Sequence, residues 1–393
     1  MKAFVLILLF FNAIGVPAQS VIQGHVFDGE TKTPLPGAAV FIANTTWGVA
    51  SGTQGEFMIK GLPQAHYKLV ISFIGYETQV LDIVPNANIT YKILLMPSAQ
   101  RLNEVVVHAR KTSRNEWLGN FKIFKERFIG ISENARFCTF ENSGILHFKN
   151  ESGILEAYAD STLIINNKGL GYRIKIVLSL FRYNMTSMEV YYQGQMVYEP
   201  LVPENNEQKV RWAQNRLKAY RGSEMHFLRS LYMKDLFSNG FYFNLIEQVK
   251  VKGKGLQRIG FADTIMTPRS PIFNDRRIKI QTITNYDKIL DSTRSRPEEP
   301  FLSFKGDLEI EYINEAEPTA YQHNRKIFPS KIQQRSTVIL HKPCTIEPNG
   351  QVYPPDAIET KNYWSWELMA ESLPLDYDPA ADVTILGKPR KTL

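Results

Sequence analysis

The chain has little cysteine and lacks the sequence patterns by which catalytic proteins declare themselves. Two cysteines in 393 residues are too few for a disulfide scaffold, and Cys138 and Cys344 lie far apart in sequence. An oxidising compartment would permit a bridge, and closing so long a loop contributes roughly 5 kcal/mol in the chain-entropy model. The sequence leaves open whether the two meet. After Val16 no apolar run reaches the roughly 20 residues of a membrane-spanning helix. None of the seven histidines is followed three residues later by Glu, which removes the His-x-x-Glu pair of a zinc carboxypeptidase. His-Glu-x-x-His, Gly-x-Ser-x-Gly, Ser-x-x-Lys and phosphate-loop patterns are absent as well. His341 and Cys344, beside Pro343, are only two donors in a loop. No catalytic residue, metal site or cofactor is therefore expected.

Concentrated charge is missing too. Lys and Arg number 46 against 39 Asp and Glu. Seven face six before residue 111, and 39 face 33 after it. A nucleic-acid-binding protein shows a concentrated basic face, so that partner is not expected. What the chain does have is apolar and aromatic content (44% and 12%) sufficient for packed cores, in a length that suits two or three domains.

Residues 1–18 read as a signal peptide. Lys2 precedes an apolar stretch from Ala3 to Val16, broken only by Asn12 and Gly15, and Val16-Pro17-Ala18 offers small residues for cleavage before Gln19. No cysteine follows to accept a lipid. The expectation is an exported protein, periplasmic or peripheral on the outer membrane. The polar, basic terminus Lys388–Leu393 is unlike the aromatic closing strand of an outer-membrane barrel.

From residue 20 to 97 the chain is short strands cut by turn residues. The stretch Thr33-Pro34-Leu35-Pro36-Gly37 is a loop, because two prolines fix φ and remove two donors. Strands are expected at 38–43 and 57–60. Tyr67, Leu69, Ile71 and Phe73 alternate with Lys68, Val70 and Ser72, and Ile89, Tyr91, Ile93 and Leu95 repeat that period. Four motifs follow one another: Gly24-His25-Val26-Phe27-Asp28, Thr33-Pro34-Leu35-Pro36-Gly37-Ala38-Ala39-Val40, Gly55-Glu56-Phe57-Met58-Ile59 and Ile71-Ser72-Phe73-Ile74-Gly75-Tyr76. Together they resemble the carboxypeptidase-regulatory-like domain, which implies a transthyretin-like antiparallel β-sandwich over 20–97. The resemblance implies no catalysis; such domains follow the catalytic unit of metallocarboxypeptidases and stand at the N-terminus of starch-utilisation-type TonB-dependent transporters. Residues 98–110 read as a linker or edge strand, in which Leu102–Ala109 resembles the lead into a transporter plug. About 280 further residues are too few for a plug and a 22-stranded barrel.

Residues 111–393 read as a mainly β, α+β domain of unknown function. Ile174, Ile176, Leu178 and Leu180 alternate with polar or smaller neighbours, Gln193-Gly194 reads as a hairpin turn, and strands are expected at 241–249, 277–283, 308–313 and 336–340. A helical hairpin spans 204–237. Val210, Ala213, Leu217 and Tyr220 form a stripe, Gly222 suits a left-handed cap, and Ser223 caps a second helix burying Phe227, Leu228 and Leu231. A last helix is expected over 363–373. Arg216, Tyr220, Ser223, His226 and Arg229 are the candidate binding residues. A helix start with nearby guanidinium groups would suit an anion, and a plain interhelical turn with solvated arginines accounts for the same residues. The functional expectation is a non-enzymatic cell-envelope binding or scaffolding protein whose partner is an envelope protein or a glycan. The alternatives are an envelope enzyme with dispersed residues and an outer-membrane component related to TonB-dependent transporters.

Overall fold

A computed structural model describes residues 20–86, 88–98, 113–250, 276–282, 285–296, 298–325 and 331–387. The signal segment, the 98–110 linker beyond residue 98, and the basic tail lie outside them.

Seven strands build the first unit: β1 (Ser20–Asp28), β2 (Ala39–Ile42), β3 (Gly48–Ala50), β4 (Glu56–Leu62), β5 (Tyr67–Ser72), β6 (Gln79–Ile83) and β7 (Thr90–Leu95). They form two sheets, β4-β1-β7 and β3-β2-β5-β6, packed face to face as a sandwich. All pairings are antiparallel except β1 with β7, which run parallel. Alternate residues fill one apolar core, with Ile22, Val26, Val40, Leu69, Ile71 and Leu95 all at 0% exposure. Asp28 ends β1 as a turn anchor. Its carboxylate accepts from the Glu30 and Thr31 amides at 2.7 and 2.9 Å and from the Tyr76 hydroxyl at 2.6 Å. Those donors favour the charged form and hold it below the usual carboxylate range, Tyr76 contributing most.

The second unit opens with α1 (Arg114–Phe128), capped by Ser113, whose hydroxyl accepts from the Glu116 amide. A six-stranded sheet follows: β8 (Cys138–Phe140), β9 (Leu146–Glu151), β10 (Ile154–Ala159), β11 (Leu163–Asn167), β12 (Tyr172–Asn184) and β13 (Val190–Pro200), with β12 central. Two expectations are corrected here. Gln193-Gly194 is not a turn; β13 runs through it against β12, and the turn lies at 185–189. Gly194 is there because a Cβ would sit 2.9 Å from the Val177 carbonyl. Opposite it, Ser179 is the extra residue of a bulge between Leu178 and Leu180. A bulge shifts the pleat by one residue, so Phe181 and Tyr183 are buried instead of Leu180.

The helical hairpin is α2 (Asn206–Tyr220) and α3 (Glu224–Met233). The third unit holds β14 (Phe241–Lys250), β15 (Arg276–Thr282), β16 (Phe301–Leu302), β17 (Asp307–Ala316), α4 (Thr319–Asn324), β18 (Gln333–Leu340), β19 (Cys344–Ile346), β20 (Val352–Tyr353), β21 (Ile358–Asn362) and α5 (Tyr363–Trp366), with α6 (Pro379–Ile385) packed instead on α2. Its sheets are ordered β15-β14-β17-β18-β21 and β16-β19-β20. The helix expected over 363–373 is two short turns, α5 and a 3-10 turn at Met369–Glu371. Extended backbone at Glu367 and Leu368 separates them. The break carries the chain from one core to another: Tyr363 and Trp364 pack in the third unit, Met369, Ala370 and Leu373 in the second. The cysteines divide the same way. Cys138 belongs to the second core and Cys344 to the third, both buried and free, so the disulfide left open by sequence does not form. Burial without a cationic neighbour strong enough to offset it pushes both thiols up to about 12, which leaves them unreactive.

The sandwich is docked on the rest. Phe41, Ala43 and Val70, on the outer side of its second sheet, form a small apolar cluster with Val177 and Val197. Val70, on the face it shares with Lys68 and Ser72, is consequently 0% exposed. The β2–β3 turn adds a short backbone ladder: Asn44 N–H donates to Met196 O (2.7 Å), Tyr198 N–H to Thr45 O (2.9 Å), and Leu375 N–H to Asn44 O (2.7 Å). Asp376 accepts from the Thr46 amide at 2.8 Å and from the Thr46 hydroxyl. At a second contact the His66 ring stacks on Tyr353 with centroids 3.8 Å apart and bonds the buried Glu347 at 2.8 Å, while Gln351 Nε2 donates to His66 O.

Candidate functional site

The five candidate residues fall into two groups. Tyr220, Ser223, His226 and Arg229 come together at the α2–α3 junction. Gly222 turns the chain there at φ +75°, and a Cβ would stand 2.6 Å from the Tyr312 ring, so only glycine fits both the conformation and the space. Ser223 Oγ accepts from the His226 amide at 3.2 Å and donates to Tyr220 O at 2.7 Å. The His226 ring is buried between Tyr220, Phe241 and Tyr312 and accepts the Gly222 N–H on Nδ1 at 3.1 Å. Desolvation lowers its pKa to about 4, which keeps the ring a neutral acceptor. Arg229 donates to three main-chain carbonyls, Asn349 (3.1 Å), Tyr377 (2.9 Å) and Leu375 (2.9 Å).

Arg216 stands apart. It grips Asp382 in a bidentate pair at 2.8 and 2.6 Å and donates to Leu170 O. The pair is enclosed, with side-chain exposures of 14% and 4%, and the Tyr377 hydroxyl adds a third bond to Asp382. Neither arginine lies on a solvated face, and both forks are filled by internal acceptors. The first turn of α3 carries Glu224, which answers the positive helix end with its own acid group.

Beside this junction lies a cavity of about 430 Å³. It is walled by all three units: Asn44 from the sandwich, Phe128, Tyr192 and Met196 from the second unit, and Val352 and Trp364 from the third, with Leu368 from the crossover between the last two. Three carboxyl groups face it, Glu224, Glu367 and Glu371. Glu371 accepts from Asn134 Nδ2 at 2.8 Å. Glu224 is pushed up to about 7 by desolvation alone. Glu367 is held well above the usual carboxylate range, first by desolvation and then by Glu371 nearby, with the Tyr363 hydroxyl opposing. No group of three His, Cys, Asp or Glu among the described residues converges to hold a metal ion; His341 pairs with Glu359. The sequence reading missed these cavity residues. Locally Glu224 is only an acid at a helix start, and nothing local marks Asn44, Glu367 or Glu371, which reach the cavity from segments hundreds of residues apart.

The first unit is a carboxypeptidase-regulatory-like sandwich: residues 22–107 match the family described as the CarboxypepD_reg-like domain. Over 129 residues the chain is 29% identical to the TonB-dependent receptor SusC of Bacteroides thetaiotaomicron. That alignment takes in 32% of this chain and 12% of the receptor, so the chain spans a small fraction of its relative. Among solved structures it is similar to a type II cohesin–X-dockerin complex from Acetivibrio cellulolyticus (20% identity, TM-score 0.18, 20% of this chain and 58% of the other). A group B streptococcus pilus 2b backbone protein is similar at 17% identity (TM-score 0.18, 20% of this chain and 42% of the other).

Proposed function

We propose that this chain is an envelope-associated binding protein, related through its sandwich to TonB-dependent receptor systems, which takes up a ligand in the cavity between its three units. The cavity carries the reading. Its walls come from all three units, a position in which binding sites are favoured, and its lining mixes apolar and aromatic surface with a few polar groups. The sandwich serves as a docked wall. The likeness to a TonB-dependent receptor and the expected signal peptide support an envelope setting, and an envelope glycan or a protein segment is the partner class. No helix among the described residues is long and apolar enough to cross a membrane; that leaves β-barrel spanning untouched.

The test is native mass spectrometry of the full chain after incubation with envelope extract, beside a Val190→Trp variant that fills the cavity from its wall, where Val190 stands. A retained mass on the wild type that the variant loses supports the reading. An empty wild-type chain, or equal retention by the variant, overturns it.

A further inference from the structure

We propose that the cavity binds an organic cation, an ammonium or guanidinium group carried on an apolar body. The inference rests on the cavity being a binding site and names the chemistry of what enters it. Two independent observations lead there. One is packing: a cavity of about 430 Å³ whose walls include Phe128, Met196, Trp364 and Leu368 has room and apolar surface for a body of ten or so heavy atoms. The other is charge. Glu224 faces this space, and no hydrogen bond or ion pair to its carboxylate is found among the described residues. Glu367 has a tyrosine hydroxyl and a second carboxyl beside it, and no cation among the described residues. Arg127 also touches the cavity, but its guanidinium lies 4.8 Å over the Tyr183 ring and pairs with none of the three glutamates.

Half-buried acids facing a partly apolar cavity without a counter-ion are unfavourable, and a cation entering beside them supplies a partner. An anion meets three acids against the single guanidinium of Arg127, so the balance of charge on the wall favours a cation. A compact metal ion needs several donors converging on one point, and the described residues offer no such group. A neutral polar ligand could use the same oxygens, but would leave the ionised forms unpaired. Selection should therefore follow charge at constant shape.

Three probes share one apolar body and differ in charge: phenethylamine, 2-phenylethanol and phenylacetate. Calorimetric titration into the full chain at pH 8 should rank phenethylamine tightest, by at least tenfold over the alcohol, with phenylacetate undetected. Glu224→Gln should remove most of that preference while leaving the alcohol unchanged. The wild-type ranking needs no variant, so a misfolded substitution does not spare the proposal. Equal affinity for amine and alcohol, both lost in Val190→Trp, overturns the cation assignment and keeps the cavity as a binding site. No binding of any probe, with a ligand still retained from envelope extract, also overturns it. Amine binding that survives Val190→Trp places the amine elsewhere on the surface and overturns it as well.

Discussion

The sandwich and the remainder of the chain dispose of their charged groups in opposite ways. In the sandwich one apolar cluster fills the core, the buried hydroxyls of Thr45 and Ser51 bond nearby main chain, and charges sit at turns or on the surface. Asp28 anchors its own loop, and Lys68 meets Asp82 across neighbouring strands with side-chain exposures of 38% and 60%. The remainder has exposed cross-strand pairs too, such as Arg182 with Glu156, but it also carries charged groups inside that join segments far apart in sequence. Arg216 reaches Asp382, and Arg229 reaches the carbonyls of Leu375 and Tyr377. The segment those arginines hold is the one that receives the sandwich, through Leu375 and Asp376. Apolar alternation gives affinity between faces without choosing partners. Single polar contacts, unmade at a penalty of about 1–3 kcal/mol each when buried, choose which distant segment goes where.

If that contrast is right, the largest single effect should come from Arg216→Ala, which strands Asp382 as a buried charge. A destabilisation of about 3–5 kcal/mol is expected, read from urea unfolding, and replacing both partners by Met and Leu should recover much of it. A loss under about 1 kcal/mol would collapse the distinction between the two regions.

A smaller effect is expected from the titrating pair at the start of α3. Glu224 binds its proton more tightly folded, near pH 7, than unfolded. Its contribution is full at acid pH and is lost as pH rises towards 7. His226 titrates near 4 when folded, so its contribution is present above about pH 6.5 and lost as pH falls through 4. Two residues apart, they pull stability in opposite directions over the same window. Glu224→Gln should therefore gain about 2 kcal/mol on wild type between pH 4.5 and 7, and the sign is checked by melting at several pH values. A difference independent of pH would show that Glu224 is solvated.

Ser223→Ala removes one cap bond, and about 1 kcal/mol is expected from the shift of the unfolding midpoint. Ligand retention should survive it; binding abolished at unchanged stability would make Ser223 a ligand contact. The smallest effect belongs to the sandwich surface. Lys68→Ala should fall within about 0.5 kcal/mol, and a larger loss would mean that the sandwich too depends on specific charge pairs.

Legibility divided along the same line. The strands at 67–72 and 90–95 could be read because apolar and other residues alternate along each, and those at 39–42 and 56–62 because Gly- and Pro-containing turns flank them. The α2–α3 hairpin could be read because Gly222 and Ser223 state its cap chemistry locally. Helix α1 was as legible and was passed over. Ser113 and Glu116 mark its start, and Trp117, Phe121, Phe124 and Phe128 recur at helical steps. The path of β13 through Gly194 was hidden, because a glycine admitting a close backbone and a glycine making a turn look alike in sequence. The single helix read over 363–373 failed because its apolar residues belong to two different cores.

Sequence by itself determined the sandwich, its family, the mainly β character of the rest and the helical hairpin. Each of these depends on neighbours within a few residues, through the strand and helix periods and the conformational limits of Gly, Pro and Ser. Tertiary structure alone decided that Val70 faces a partner sheet, that the two cysteines lie in separate cores, and that both candidate arginines face inward. It also brought Asn44, Glu224, Glu367 and Glu371 around one cavity. Those outcomes turn on which distant segment supplies the acceptor, the apolar face or the missing counter-ion, and no local pattern encodes that.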